Sequence, residues 1–135
     1  MKIFKNKEVS FKNMDGLIIK SKWLNLILKG EKTIEIRGSD TKKQGEIIYL
    51  LESETNRVLG TCKIAYTYTI SCSDWSEERD NHKVELSYSE LKKIYKNPYA
   101  WVLEDVKPIK SEKEIYYKHP KGAVIWVKDV KKYIL

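Results

Sequence analysis

The pattern of apolar and polar residues in the first third of the chain predicts a helix, a glycine stop and a strand. Apolar side chains recur at helical spacing from Trp23 to Leu28, and Ser21 is placed to cap this helix. Gly30 suits the left-handed position past a helix end. Residues 33–37 then alternate polar and apolar positions, which is typical of a strand with one face on a core.

This strand carries opposite charges on its polar face. Successive side chains of an extended chain point to opposite faces, so its two isoleucines can anchor a core while Glu35 and Arg37 share the other side. Lys32 stands at the mouth of the strand. A carboxylate beside a guanidinium suits a partner that both donates and accepts hydrogen bonds, such as a nucleobase or nucleotide. A surface ion pair is an equally good interpretation of the same spacing.

The remaining elements are mainly short strands. Capping-box patterns at Asp74–Glu77 and Ser87–Glu90 predict helix starts, the second opening a helix over residues 88–95. A polar turn at residues 53–56 predicts an antiparallel hairpin. Strands are predicted at residues 16–20, 33–37, 46–52, 58–71, 99–106 and 123–127. With only three short helices, this pattern predicts an α+β fold, a small mixed β-barrel with flanking short helices.

Length and composition fit one compact unit. We expect a lead-in segment over residues 1–15 and one domain over residues 16–135. No apolar run approaches the roughly 20 residues of a membrane span, and no signal-peptide pattern opens the chain. Cys62 and Cys72 form no CxxC pair, and the two histidines add no zinc spacing. We therefore expect a cytoplasmic protein with reduced thiols and with no metal, cofactor or membrane partner.

The charge of the chain favours polyanionic partners. The formal net charge is +7 and the pI is about 9.2, which gives sequence-independent attraction to nucleic acid. Lysine-rich composition also arises from genomic base bias, so the charge alone decides nothing. The lysines are scattered along the chain and indicate a folded surface rather than a basic tail.

Several runs of the chain resemble the ASCH domain family, named for homology to the coactivator activating signal cointegrator 1. They are Gly16–Lys20 followed by Trp23, and residues 30–37, which fit the pattern GxKxxExR. Two closing runs, Tyr99–Asp105 and Tyr117–Trp126, resemble the end of the family's domain. The resemblance covers residues 16–127 and implies a PUA-like (pseudouridine synthase and archaeosine transglycosylase) fold. It also implies a cleft, beside the helix before the GxKxxExR strand, that holds RNA, DNA or a modified base.

The resemblance further implies a possible enzyme. Some small bacterial members resemble hydrolases of the N4-acetylcytidine amide, in which the motif lysine is catalytic, with a threonine three residues later and a distal glutamate assisting. Lys32 matches that lysine, but Glu35 occupies the threonine position. Because an adjacent carboxylate favours the ammonium, we expect Lys32 to keep its proton, whereas Glu35 could serve as a general base. The distal glutamate is not fixed by the sequence; its candidates are Glu77, Glu78 and Glu85.

Other residues could complete a ligand site. Lys20 faces the same helix and could form a phosphate seat with Lys32. Trp23 and Trp101 could stack a base or belong to the core. His119 could bond a ligand or brace its loop, and Ser39 could contact a ligand oxygen.

The sequence therefore predicts an RNA- or nucleotide-binding protein whose site uses Lys20, Trp23, Lys32, Glu35 and Arg37. The alternatives are a hydrolase of an acylated cytidine nucleoside or of RNA, with Lys32 and Glu35 as catalytic groups, and a protein-interaction module. The choice between RNA and DNA and the oligomeric state stay open.

Overall fold

A computed structural model describes residues 4–5, 8–9 and 13–135 of the chain. Its main feature is a six-stranded sheet that curls into a half-barrel, with short helices around it. The described strands are β1 (Phe4–Lys5), β2 (Glu8–Val9), β3 (Gly16–Ile19), β4 (Ile34–Arg37), β5 (Ile47–Glu52), β6 (Val58–Thr69), β7 (Tyr99–Pro108) and β8 (Trp126–Val127). The six strands lie in the order β4-β7-β6-β5-β3-β8, and all neighbours are antiparallel except β3 and β5. This confirms the predicted α+β, PUA-like class.

The central strands are covered on both faces, which explains their nearly continuous apolar sequence. Along β5, Ile48 and Leu50 face one core, while Tyr49 and Leu51 face a second core on the other side of the sheet. A third core forms where β4 and β7 meet the helices after β6, and it takes in Ile34. The predicted hairpin of β5 and β6 is confirmed.

In the part of the chain that the structure describes, four α-helices surround the sheet, one more than predicted. They are α1 (Ser21–Leu28), α2 (Cys72–Glu77), α3 (Arg79–His82) and α4 (Tyr88–Ile94); a 3₁₀ helix spans Val130–Tyr133. The capping box at Ser87 and Glu90 is present and opens α4. Among the described residues, no helix combines the length and the apolar character that crossing a bilayer requires.

Two predicted helix starts are wrong. Ser21 is the first residue of α1 rather than its cap, because the chain is still extended at Lys20; the Ser21 amide instead donates to Glu54 from the β5–β6 turn, at 2.9 Å. The capping box of α2 pairs Ser71 with Asp74, three residues before the predicted pair. Aspartate suits either end of such a box, which is why the pattern Asp74–Glu77 was misleading.

Two other predictions concern the ends of the chain. The predicted strand 123–127 is reduced to β8, whose two residues pair with Gly16 and Leu17 of β3. Most of the predicted lead-in, residues 1–15, lies outside the described residues, apart from the antiparallel pair β1 and β2 and residues 13–15. Asp15 is tied to the domain, because its carboxylate accepts from the Asp129 amide at 2.9 Å.

Candidate functional site

A pocket of about 280 Å³ lies between the start of α1, the end of β3, strand β4 and the β5–β6 turn. Five of the sequence-predicted site residues line it: Lys20, Trp23, Lys32, Glu35 and Arg37. The alternation along β4 explains part of this arrangement, since it turns the charged side chains away from the third core. The remaining wall is largely apolar and consists of Ile18, Ile36, Ser53, Val84, Tyr95 and Val124.

Lys32 is the most deeply buried charged group of the pocket. Its side chain is 1% exposed, and Nζ donates to the His82 carbonyl oxygen at 2.6 Å. Nζ also lies 3.7 Å from Glu35 Oε1 and 4.7 Å from the centroid of the Trp23 ring. An ammonium so placed depends on a carbonyl, a carboxylate and an aromatic face to replace water.

Burial lowers the pKa of Lys32 to about 8, although Glu35 acts in the opposite direction. Glu35 therefore favours the ammonium as expected, but desolvation, which the sequence did not reveal, is the larger influence on the pKa of Lys32. A pKa of about 8 still leaves most of the lysine protonated at neutral pH, with a neutral fraction on the order of one tenth.

Glu35 and Arg37 form a partly buried ion pair at the pocket wall. Arg37 Nε donates to Glu35 Oε2 at 2.9 Å, and Nη2 lies 2.8 Å from the same oxygen. Nη2 also donates to the Ile18 carbonyl at 2.9 Å, which fixes the guanidinium against β3. Both Arg37 contacts to Glu35 use Oε2, whereas Oε1 lies 3.7 Å from Lys32 Nζ and keeps the capacity to accept a hydrogen bond.

The Trp23 ring is contacted by two ammonium groups. Nζ of the exposed Lys22 lies 4.6 Å from the ring centroid, close to the distance found for Lys32. These cation–π contacts favour the indole position at the pocket edge. They also mean that a base stacking on Trp23 would share the ring with a lysine.

Three predicted residues do not line the pocket. Trp101 is 1% exposed in the core, and its Nε1 donates to the Ser39 carbonyl at 3.0 Å. Trp101 supports the pocket from behind, because the Arg37 guanidinium carbon lies 5.7 Å from its ring. Ser39 acts at one further remove, through its hydrogen bond to Trp101. His119 braces its loop: Nε2 lies 2.8 Å from the Ala123 carbonyl, and Nδ1 lies 3.2 Å from the Tyr117 hydroxyl.

Six pocket residues were not foreseen, and the three candidate distal glutamates are absent from the lining. Ile18 and Ile36 belong to β3 and β4, and the other four come from distant segments. Ser53 comes from the β5–β6 turn, Val84 from the loop after α3, Tyr95 from the end of α4 and Val124 from the segment before β8. No spacing in the sequence links them, since the topology of the fold brings them together. Val124 is 78% exposed, so a ligand would cover an apolar side chain that the protein itself leaves open.

The pocket lies almost wholly within a segment that matches a known family. Residues 17–119 match the ASCH domain. The chain belongs to the ASCH domain family. Of the ASCH pocket described above, only Val124 lies beyond the matched residues. No curated protein matches the chain.

Solved structures agree with the ASCH assignment at the level of the fold. The crystal structure of ASCH from Zymomonas mobilis is similar with a TM-score of 0.58 and 17% identity, covering 73% of this chain and 71% of that chain. Two of its point mutants are similar with TM-scores of 0.58 and 18% identity, covering 73% of this chain and 72% and 74% of theirs. At this identity the likeness concerns the ASCH/PUA-like fold alone.

Proposed function

We propose that the pocket binds one nucleotide unit of RNA, or a nucleotide-sized ligand. The observation that carries this proposal is the convergence of Lys20, Lys32 and Arg37 on one pocket, against the single carboxylate of Glu35. Three cations against one anion favour a ligand that bears phosphate. Membership of the ASCH family, whose PUA-like domains generally bind RNA, supports the same class of ligand.

We propose roles for the charged and aromatic side chains of the wall that the sequence predicted. Lys20 and Lys32 hold phosphate or base oxygens, and Arg37 adds the donors that Glu35 and Ile18 leave unused. Glu35 Oε1 accepts from an exocyclic amine. Trp23 supplies a stacking face, which is worth on the order of 1–3 kcal/mol per base.

The size of the pocket limits the ligand to one unit. Its volume of about 280 Å³ lies near the lower end of the roughly 300–1,000 Å³ of small-molecule sites. A single base with its sugar and phosphate suits this space, and a longer strand would continue across the surface. We therefore expect affinity to depend on one anchored nucleotide and on general electrostatic attraction outside the pocket.

Fluorescence anisotropy of a labelled oligoribonucleotide at two salt concentrations tests the proposal. The matched variants are Lys20→Ala, in the pocket, and Lys131→Ala, exposed and outside it. The Lys20 side chain makes no capping hydrogen bond, so its removal leaves α1 intact. Lys20→Ala should weaken binding and reduce the salt slope by about 0.7, and Lys131→Ala should have the smaller effect. Equal effects of both variants, or no binding at low salt, would contradict a pocket-centred site.

One observation favours a second candidate, hydrolysis of an acylated cytidine nucleoside or of RNA. A buried lysine with a pKa of about 8 has a neutral fraction near neutral pH and can act as a base or nucleophile. Glu35 stands where the resembling enzymes carry threonine, so this candidate needs Lys32 to work beside a carboxylate. Release of acetate from N4-acetylcytidine, lost in Lys32→Ala, would support it, and absence of turnover across acylated nucleosides and RNA would exclude it.

A further inference from the structure

We propose that His82 is a positioning residue of this pocket, and that its neutral ring holds in place the loop that fixes Lys32 and presents Val84. Protonation of the ring would release this loop, so ligand affinity would be lost at acid pH. The effect on ligand affinity rests on the proposed function. The effect on Lys32 itself can be measured in the ligand-free protein and does not depend on that function.

The His82 ring is held in one tautomer by two opposite partners. It is fully buried and stacks on Trp75, with ring centroids 3.8 Å apart and planes 13° from parallel. Nε2 lies 2.8 Å from the Trp75 carbonyl oxygen, which can only accept, so Nε2 carries the hydrogen. The Val84 amide, which can only donate, reaches Nδ1 at 3.0 Å, so Nδ1 is unprotonated. The buried ring is therefore neutral.

The main chain around this ring binds two residues beside the pocket, Lys32 and Thr33. The His82 carbonyl accepts from Lys32 Nζ at 2.6 Å, and the Asn81 carbonyl accepts from the Thr33 amide at 2.9 Å. Two successive carbonyls at the end of α3 thus bind two successive residues at the entry to β4. The chain then turns through Lys83, whose φ of +63° is left-handed, and Val84 joins the pocket wall.

A second proton on the ring would break this arrangement at Nδ1. The new N–H would face the Val84 N–H, so one hydrogen bond would be replaced by two opposed donors. Lys32 and Arg79 face the ring as like charges and oppose its protonation, whereas Glu78 and the Trp75 carbonyl favour it. Burial is the largest influence and lowers the pKa of His82 from 6.5, which places the transition on the acid side of neutrality.

Two substitutions separate the contacts of the ring. In His82→Asn the side-chain oxygen can take the place of Nδ1, so the Val84 amide keeps an acceptor that does not titrate. In His82→Gln the amide nitrogen can take the place of Nε2, so the Trp75 carbonyl keeps its donor and the Val84 amide loses its acceptor. Both variants lose the ring stack, which makes them matched controls for stability.

The experiment measures oligoribonucleotide affinity between pH 5 and 7.5, and the NMR signals of isotope-labelled Lys32 in the ligand-free protein. Wild type should lose affinity as His82 becomes protonated, by about tenfold when protonation is complete, whereas His82→Asn should keep its affinity and His82→Gln should bind weakly throughout. In the ligand-free protein, the Lys32 signals should shift as His82 titrates. In His82→Gln the pKa of Lys32 should rise from about 8 towards its ordinary value.

Each outcome bears on one proposal. Lys32 signals that are indifferent both to His82 protonation and to His82→Gln would overturn the positioning role. Lys32 signals that respond, in a protein that binds no oligoribonucleotide at neutral pH, would support the positioning role and contradict the proposed function. If the variants do not fold, the coupled titration of His82 and Lys32 in wild type decides the question alone.

Discussion

The burial of Lys32 should leave a measurable pH dependence in the stability of the fold. The informative perturbation is Lys32→Met, which keeps an unbranched side chain of similar length and removes the titrating group. Lys131→Met, at an exposed position of the 3₁₀ helix, is its control. Only the proton on Lys32 makes the comparison depend on pH, because the hydrogen bond to His82 that Lys32→Met removes is lost equally at pH 7 and pH 10.

The magnitude follows from the change in pKa on folding. The pKa of Lys32 falls from 10.5 to about 8, so between these values the unfolded chain binds a proton that the folded chain has released. The free energy of unfolding therefore rises with pH through this window and is lowest below pH 8. At about 1.4 kcal/mol per pKa unit the full effect is about 3 kcal/mol, of which about 2.5 kcal/mol develops between pH 7 and 10.

Urea unfolding followed by tryptophan fluorescence at pH 7 and pH 10 measures this term. Other groups titrate in the same range, including tyrosines whose raised pKa values act in the opposite direction. The relevant quantity is consequently the difference between wild type and Lys32→Met, in which those contributions cancel. That difference should shift by about 2.5 kcal/mol in favour of wild type at pH 10, and the Lys131→Met difference should stay constant. A Lys32→Met difference that is equal at both pH values would refute the argument that burial depresses this pKa.

Three further predictions concern helix capping, packing and thiol chemistry. Ser71→Ala should lower the free energy of unfolding by about 1 kcal/mol because it removes the cap of α2, whereas Glu77→Ala should change it little. If urea unfolding showed the larger loss for Glu77→Ala, the helix would instead be capped by the pair Asp74 and Glu77. Gly16→Ala should cost about 1–3 kcal/mol by the same assay, since a Cβ there would lie 2.6 Å from Leu51 Cδ1, and an unchanged midpoint would contradict that contact. A thiol reagent at pH 8 should label Cys72 only, because burial raises the pKa of Cys62 to about 12; fast labelling of two thiols in the folded protein would contradict this.

Local patterns were sufficient to predict part of this protein. The alternation along β4 and the glycine after α1 depend only on neighbouring residues, and both follow from backbone geometry. The hairpin of β5 and β6 was also recognisable, because its strands are adjacent in sequence and its turn is polar. The resemblance to the ASCH domain then identified the family, which the match over residues 17–119 confirms.

Long-range contacts determined what local patterns could not predict. The cap of α1 comes from Glu54, which lies 33 residues from Ser21, and the acceptor for Lys32 comes from His82, 50 residues away. The sequence places a glutamate beside Lys32 but does not reveal how much water the fold removes, and desolvation decided the direction of the pKa. Whether Trp101 belonged to the core or to the ligand site also depended on which face of β7 the helices cover.

Three of the four indole groups provide a direct test of the proposed site. Trp23 lines the pocket, whereas the Nε1 groups of Trp75 and Trp101 donate to the carbonyls of Leu86 and Ser39 inside the protein. In a two-dimensional NMR titration of ¹⁵N-labelled protein with a short oligoribonucleotide at low salt, we expect a saturable shift of the Trp23 indole signal, with the Trp75 and Trp101 signals nearly unmoved. Saturable binding that leaves the Trp23 signal in place would contradict it.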